Sequence, residues 1–252
     1  MRFASLGSGS AGNGLVVEVA RTRVMLDCGF GLNDVIHRLA RVGLRPDDLT
    51  GIVITHEHAD HIGGAGRFAR RFRLPVWLTA GTLRMAQDMD HVDVHVIDSH
   101  TLFAVQDIAV QPFPVPHDAR EPVQFVFGDG AKRLGVLTDV GCSTAHIEAM
   151  LAGMDALILE CNHDRTMLEQ GAYPPRLKQR VGGRFGHLEN GQSAELLGKL
   201  KHDKLQFVMA AHISRKNNTP SLARRALAQV LDCADDDVHV ACQFAGFDWI
   251  KL

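Results

Sequence analysis

Three imidazoles and the Asp60 carboxylate, with Glu57 between the first two, fall within six residues at His56-Glu57-His58-Ala59-Asp60-His61. Imidazole nitrogen and carboxylate oxygen suit zinc, iron or manganese, and four such groups at this density point to metal chemistry with room for two ions. In an extended turn His56 and His58 share a side and can hold one ion, while Asp60 and His61, farther along, reach a second. The helical zinc motif HExxH is excluded by spacing, because Glu57 is followed by His58-Ala59-Asp60.

A two-metal site needs more ligands, and they recur where apolar runs end. His117 follows Pro114-Val115-Pro116, Asp139 follows Leu137-Thr138, and His212 follows Val208-Met209-Ala210-Ala211. Each alone reads as a turn residue; as a set they occupy the strand ends from which loops of an α/β scaffold deliver functional groups.

The elements that must position them are short. The β-branched run Ile52-Val53-Ile54 favours a buried strand, so the histidine cluster is expected on an extended loop leaving it. Further strands are expected at 15–19, 24–26, 76–78, 92–97, 108–115, 123–127, 134–138, 156–159, 207–211 and 238–243. Helices are expected at 31–42, 62–72, 144–151, 192–200 and 220–231, the last capped by Thr219 with Pro220 at its first position. Strands and helices are interspersed, which is an α/β pattern. Residues 165–187 lack periodicity, contain Pro174-Pro175 and Gly182-Gly183, and are expected as a long loop over the site.

Composition sets the limits. The 252 residues, 46% hydrophobic, suffice for a full core. No apolar run approaches the roughly 20 residues of a membrane span, and the amino terminus lacks the apolar segment of a secretory signal, so a cytoplasmic protein without a membrane partner is expected. Five scattered cysteines without a CxxC argue against both a disulfide framework and a zinc knuckle. A net charge of −2 means that any polyanionic partner must be held by a local patch.

The order Asp27, His56-x-His58-x-Asp60-His61, His117, Asp139, His212 resembles the metallo-β-lactamase superfamily along nearly the whole chain. That resemblance implies a single domain over 1–252, an α/β (α+β) four-layer αββα sandwich with the site at one edge. It implies two divalent metal ions (Zn, Mn or Fe), one held by His56, His58 and His117, the other by Asp60, His61 and His212, with Asp139 between them and Asp27 orienting a histidine ligand. The motifs Gly7-Ser8-Gly9-Ser10-Ala11-Gly12-Asn13, Glu160-Cys161-Asn162-His163-Asp164, Tyr173-Pro174-x-x-Leu177-Lys178-x-Arg180, Gly186-His187-Leu188 and His212-Ile213-Ser214-Arg215-x-Asn217-Asn218-Thr219-Pro220 resemble the YycJ/WalJ group, regarded as 5′-to-3′ DNA exonucleases.

The expected activity is therefore hydrolysis of nucleic-acid phosphodiesters, DNA first among the candidates, with a cyclic phosphodiesterase, an RNA-processing nuclease and a non-catalytic metal-binding regulator as alternatives. Two cations about 3.5–4 Å apart can turn a shared water into the attacking hydroxide. Asp60, Glu160 and His187 are expected to be catalytic, His187 protonating the leaving oxygen and Glu160 orienting it, as in the Glu-His pair of the related tRNA-maturation endonucleases. Asn13, His163, Lys178, Arg180, Ser214, Arg215 and Asn217 are expected to bind substrate. Five basic residues against one acid between Arg165 and His187 form a candidate phosphate track. No aromatic pattern of the kind that stacks RNA bases is evident. Oligomeric state, native metal and digestion polarity are not set by the residues themselves.

Overall fold

The computed structural model describes residues 1–252. In chain order the strands are β1 (Arg2–Gly7), β2 (Gly14–Val19), β3 (Thr22–Leu26), β4 (Gly51–Val53), β5 (Val76–Thr79), β6 (Val94–Ile97), β7 (Phe103–Val105), β8 (Ile108–Pro114), β9 (Val123–Gly128), β10 (Arg133–Leu137), β11 (Ala156–Glu160), β12 (Phe207–Ala211), β13 (His239–Val240) and β14 (Phe247–Lys251). The helices are α1 (Leu32–Arg41), α2 (Ala59–Ile62), α3 (Ala65–Phe72), α4 (Ala80–Met85), α5 (Ala145–Leu151), α6 (Arg165–Gln170), α7 (Pro175–Val181), α8 (Asn190–Leu200) and α9 (Pro220–Leu231).

Two seven-stranded sheets face each other, ordered β14-β1-β2-β3-β4-β5-β6 and β13-β12-β11-β10-β9-β8-β7. Phe3, Val17, Val53, Phe125, Val136 and Ile158 fill the space between them. Val35, Leu39 and Phe68 of α1 and α3 cover the outer face of the first sheet, and Ile147, Leu196 and Leu227 of α5, α8 and α9 cover the second. Apolar burial on both faces explains why β4, β11 and β12 read as continuous hydrophobic runs. The layers are those of an αββα sandwich.

The two sheets repeat one another in pairing. Each begins with three antiparallel pairings and switches to three parallel ones, at β3/β4 in the first and β10/β11 in the second. The expected helix over 62–72 is interrupted, because the chain turns at Gly63-Gly64 and Phe30 O would lie 1.9 Å from a Cβ at Gly64. The expected loop over 165–187 contains α6 and α7, started by the Asp164 cap on Met167 N and by Pro175. β1, β14 and α4 were not expected, and the strand expected over 238–243 shortens to β13.

Candidate metal centre

The histidine cluster leaves β4 as expected but does not stay extended. His58 caps α2, so Asp60 and His61 sit on a helical turn that reverses their direction relative to His56 and His58. Backbone bonds pin this turn: Cys28 N donates to His61 O (2.7 Å), Asn13 N to Asp60 O (2.8 Å) and Gly64 N to Cys28 O (2.8 Å). Gly29 is required here, since a Cβ would lie 1.8 Å from Asp60 O.

Two donor sets result. His56 Nε2 lies 3.0 Å from His58 Nδ1, which lies 3.3 Å from His117 Nε2. Nitrogens bound at ~2.0–2.1 Å to a tetrahedral ion stand about 3.3 Å apart, so this spacing fits one cation. In the second set Asp60 Oδ2 is 3.6 Å from His61 Nε2 and 3.7 Å from His212 Nε2. Asp139 reaches both, with Oδ2 3.1 Å from His61 Nε2 and Oδ1 3.9 Å from His117 Nε2. His212 Nε2 and Asp139 Oδ2 are buried without a well-formed hydrogen bond, a cost of roughly 1–3 kcal/mol per group that a cation would remove. The donor set and its unpartnered atoms fit divalent metal.

Each of four histidines is held through its other ring nitrogen. His61 Nδ1 meets Asp27 Oδ2 at 2.8 Å, His212 Nδ1 meets Glu160 Oε1 at 3.0 Å, His56 Nδ1 meets Thr55 Oγ1 at 2.9 Å, and His117 Nδ1 meets Gly186 O at 3.0 Å. Such partners fix tautomer and ring orientation. Asp27 also accepts from Thr55 N and Oγ1. Glu160, fully buried, accepts from the backbone N–H groups of Asp139, Val140 and Leu188, each at 3.1 Å, and from His187 Nδ1 at 2.9 Å. Glu160 therefore positions two histidines, where the sequence reading saw one.

Burial works against every charge in this cluster, and the arrangement of neighbours decides the outcome. Burial would raise Asp139, but His212 and His61 hold its carboxyl well below the usual range. Glu160 is brought down to about 2 despite burial, by His187 and His212, and Asp60 is lowered against burial by His212 and His61. Burial and His61 push His56 well below an ordinary histidine. His212 goes the other way: Asp139, Asp60 and Glu160 overcome burial and lift it to about 10. His187 is raised because Glu160 outweighs burial.

Three of these residues also have unusual backbones. Asp27 and His212 follow β3 and β12 directly and Asp139 follows β10 by two residues, and each is left-handed, with φ of 59°, 54° and 52°. This conformation is sparsely populated by side chains with a Cβ and clusters at functional sites. It turns each side chain out of its strand toward the site.

Above the donors lies a cleft of about 380 Å³, lined by His58, Asp60, Asp139, His187 and His212 on one side and by α7 on the other. Of the residues expected to bind substrate, Ser214, Asn217 and Arg180 line it; Asn217 Nδ2 is buried without a partner. Four others do not line it. Asn13 turns inward, bonding Gly9 N, Gly9 O and Asp60 O and lying 3.0 Å from His61 Nε2, so it braces the ligand loop. His163 and Lys178 border a separate hollow behind α7, with Lys178 Nζ on Glu169 O. Arg215 turns away, 5.1 Å from the Phe244 ring centroid. The basic track is also partly neutralised, since Arg165 pairs with Glu189 (2.5 Å) and Arg180 with Asp118 (2.6 Å). Asp118 and Thr55 escaped the sequence reading, although each adjoins a ligand histidine; Tyr173 and Leu177 line the cleft, known beforehand only as motif letters.

Residues 22–213 match the family described as the Beta-lactamase superfamily domain. The chain is 33% identical over 239 residues to Exodeoxyribonuclease YycJ of Bacillus anthracis, covering 92% of this chain and 89% of the relative. It is 30% identical to Exodeoxyribonuclease WalJ of Streptococcus pneumoniae, covering 98% and 93%. Among solved structures, Zn(2+)-bound PqqB from Methylobacterium extorquens superposes with a TM-score of 0.76 at 19% identity over the full length of both chains, a likeness of fold. No helix is long and apolar enough to cross a membrane.

Proposed function

This chain belongs to the β-lactamase superfamily, in the family of the YycJ and WalJ exodeoxyribonucleases, and on that premise we propose that it is a metal-dependent nuclease that hydrolyses DNA from a 5′ end. The observation that carries the reading is the Asp139 carboxylate set between two donor groups with the Glu160–His187 pair beside it.

His56, His58 and His117 would hold one divalent cation and Asp60, His61 and His212 a second, with Asp139 shared. Such a pair, when bound, supplies acidified water near neutral pH and neutralises phosphodiester oxygens. The chain's own groups do the rest. Ser214, the free amide of Asn217 and the Arg180 guanidinium bind and orient the phosphodiester from the wall facing the donors. His187 has Nδ1 committed to Glu160, which leaves Nε2 as its free nitrogen on the cleft. Glu160 raises its pKa above the ordinary histidine value, which favours the form that can give a proton to the departing oxygen. Glu160 stays ionised and holds the ring in place.

The test is to incubate the purified protein with 5′-phosphorylated duplex DNA, single-stranded DNA, RNA and a generic phosphodiester, each with Mn²⁺, Zn²⁺ or chelator. Asp60→Ala controls for contaminating nucleases. Release of 5′-terminal nucleotides from DNA that requires metal and disappears in Asp60→Ala is expected. Activity surviving Asp60→Ala unchanged overturns the site, and a strict preference for RNA or a small ester overturns the DNA reading.

A further inference from the structure

Part of the cleft wall facing the donor groups is apolar, beside Arg180, Ser214 and Asn217, and metal-assisted hydrolysis by itself does not need that apolar part. Tyr173, the chain's single tyrosine, lines it together with Leu177 and Val181 of α7. Leu177 and Val181 are four residues apart and so share one face of the helix. The Tyr173 ring is half-buried, and its hydroxyl makes no hydrogen bond within the protein. Exposed Lys216 has its Nζ 5.7 Å from the ring centroid.

We infer that Tyr173, Leu177 and Val181 form the seat of one unpaired nucleobase, that of the terminal nucleotide whose phosphodiester lies over the donor groups. The inference rests on the nuclease reading above and adds how the strand is held. A nucleotide has an apolar aromatic face at one end and an anionic phosphate at the other. The cleft has the matching pair of surfaces, an apolar wall and a floor built to hold cations. Its volume of about 380 Å³ is at the low end of the ~300–1,000 Å³ typical of small-ligand sites, suited to one nucleotide unit. The Arg180–Asp118 ion pair at 2.6 Å joins α7 to the loop after His117 at the edge of the cleft. Apart from the tyrosine hydroxyl, these side chains offer no hydrogen bond, so the seat accepts any base, as stacking platforms do. A terminal base pair would bring the complementary nucleotide into a cleft with room for one, so the terminal nucleotide must be unpaired.

The metal-loaded protein is assayed on single-stranded oligonucleotides with a normal or an abasic 5′-terminal nucleotide. Binding is read separately from the fluorescence of 2-aminopurine at the same position, in an oligonucleotide whose first linkage is a phosphorothioate. Stacking on an aromatic ring is worth about 5- to 150-fold in affinity. Tyr173→Ala is expected to raise KM by about that factor on normal ends, with a smaller change in kcat, and to leave abasic ends unaffected. Tyr173→Phe, which keeps the ring, should match the wild type on both and report that the fold tolerates change there. The 2-aminopurine quench should persist in Tyr173→Phe and vanish in Tyr173→Ala. An equal loss on normal and abasic ends, or an unchanged quench in Tyr173→Ala, overturns the base seat and leaves the nuclease reading standing. Failure of the wild type to cleave any oligonucleotide while it still hydrolyses bis(p-nitrophenyl) phosphate overturns the nuclease reading and the seat with it.

Discussion

Replacing His187 by alanine should separate the two halves of the proposed chemistry. The imidazole touches Glu160 through Nδ1 at 2.9 Å and stacks on His212 with ring centroids 5.3 Å apart. It lies outside the His56–His58–His117 and Asp60–His61–His212 sets, although it clusters with Asp139, Glu160 and His212, and its side chain is 21% exposed, so its removal opens toward solvent rather than leaving a sealed cavity. A positioned general acid contributes about 10²–10⁴-fold, and that is the expected fall in kcat on DNA, whose alkoxide leaving group needs a proton. On thymidine 5′-p-nitrophenyl phosphate the leaving group departs as a stable anion, so His187→Ala should lose less than about tenfold. Burial lowers the His187 pKa and Glu160 raises it further, above the ordinary value. The acid form is therefore complete below that raised value and lost as pH climbs through it, so kcat on DNA should decline on the alkaline side. Glu160→Gln removes the cause of the elevation and should move that decline to lower pH. Steady-state kinetics on both substrates, with metal content measured for each variant, decide the matter. Equal losses on the two substrates, or an alkaline limb that Glu160→Gln leaves in place, would refute the acid role.

Metal loading should release protons, because carboxylate neighbours raise the pKa of His61 and lift that of His212 to about 10. Zn²⁺ added to chelator-treated protein at pH 8 in weak buffer should displace protons, and affinity should fall as pH falls; a pH-independent affinity contradicts this. Arg180→Ala should weaken DNA binding and reduce the slope of log K against log salt by about one, whereas Lys178→Ala, in the hollow behind α7, should leave the slope unchanged. Anisotropy titrations from 50 to 200 mM salt distinguish the two. Thr219→Ala removes the side-chain acceptor for Leu222 N at the start of α9, at a cost of about 1 kcal/mol. Differential scanning calorimetry should show the melting temperature lower by about 2–4 °C, with activity unchanged.

The candidate donor residues were legible because their signal is local. Ligand-type residues stand where strands end, and buried β-branched runs that alternate with helices indicate an α/β class, whereas the αββα layers were expected only from the resemblance to the superfamily. What escaped depends on contacts far apart in sequence. That Asn13 braces Asp60 and His61 follows from β2 lying between β1 and β3, and β1 itself, Arg2–Gly7, was not expected as a strand. That Glu160 serves His212 as well as His187 requires β11 and β12 to be neighbours. Charge counting overstated the basic track because Glu189 and Asp118, which neutralise part of it, lie outside the counted window or on another loop. The apolar cleft wall was invisible for a similar reason, as residues 165–187 carry too short a pattern to reveal a seven-residue helix facing the site.

The left-handed backbones of Asp27, Asp139 and His212 set a ceiling on how stable a working version of this protein can be. Each costs of order 1 kcal/mol or more, so together they withdraw a few kcal/mol from a fold whose whole margin is about 5–15 kcal/mol. Glycine relieves that strain at any of the three and removes the side chain the site is built around. Selection for thermal stability alone should therefore drift toward glycine at 27, 139 or 212, and would reach a sturdier protein by dismantling its own centre.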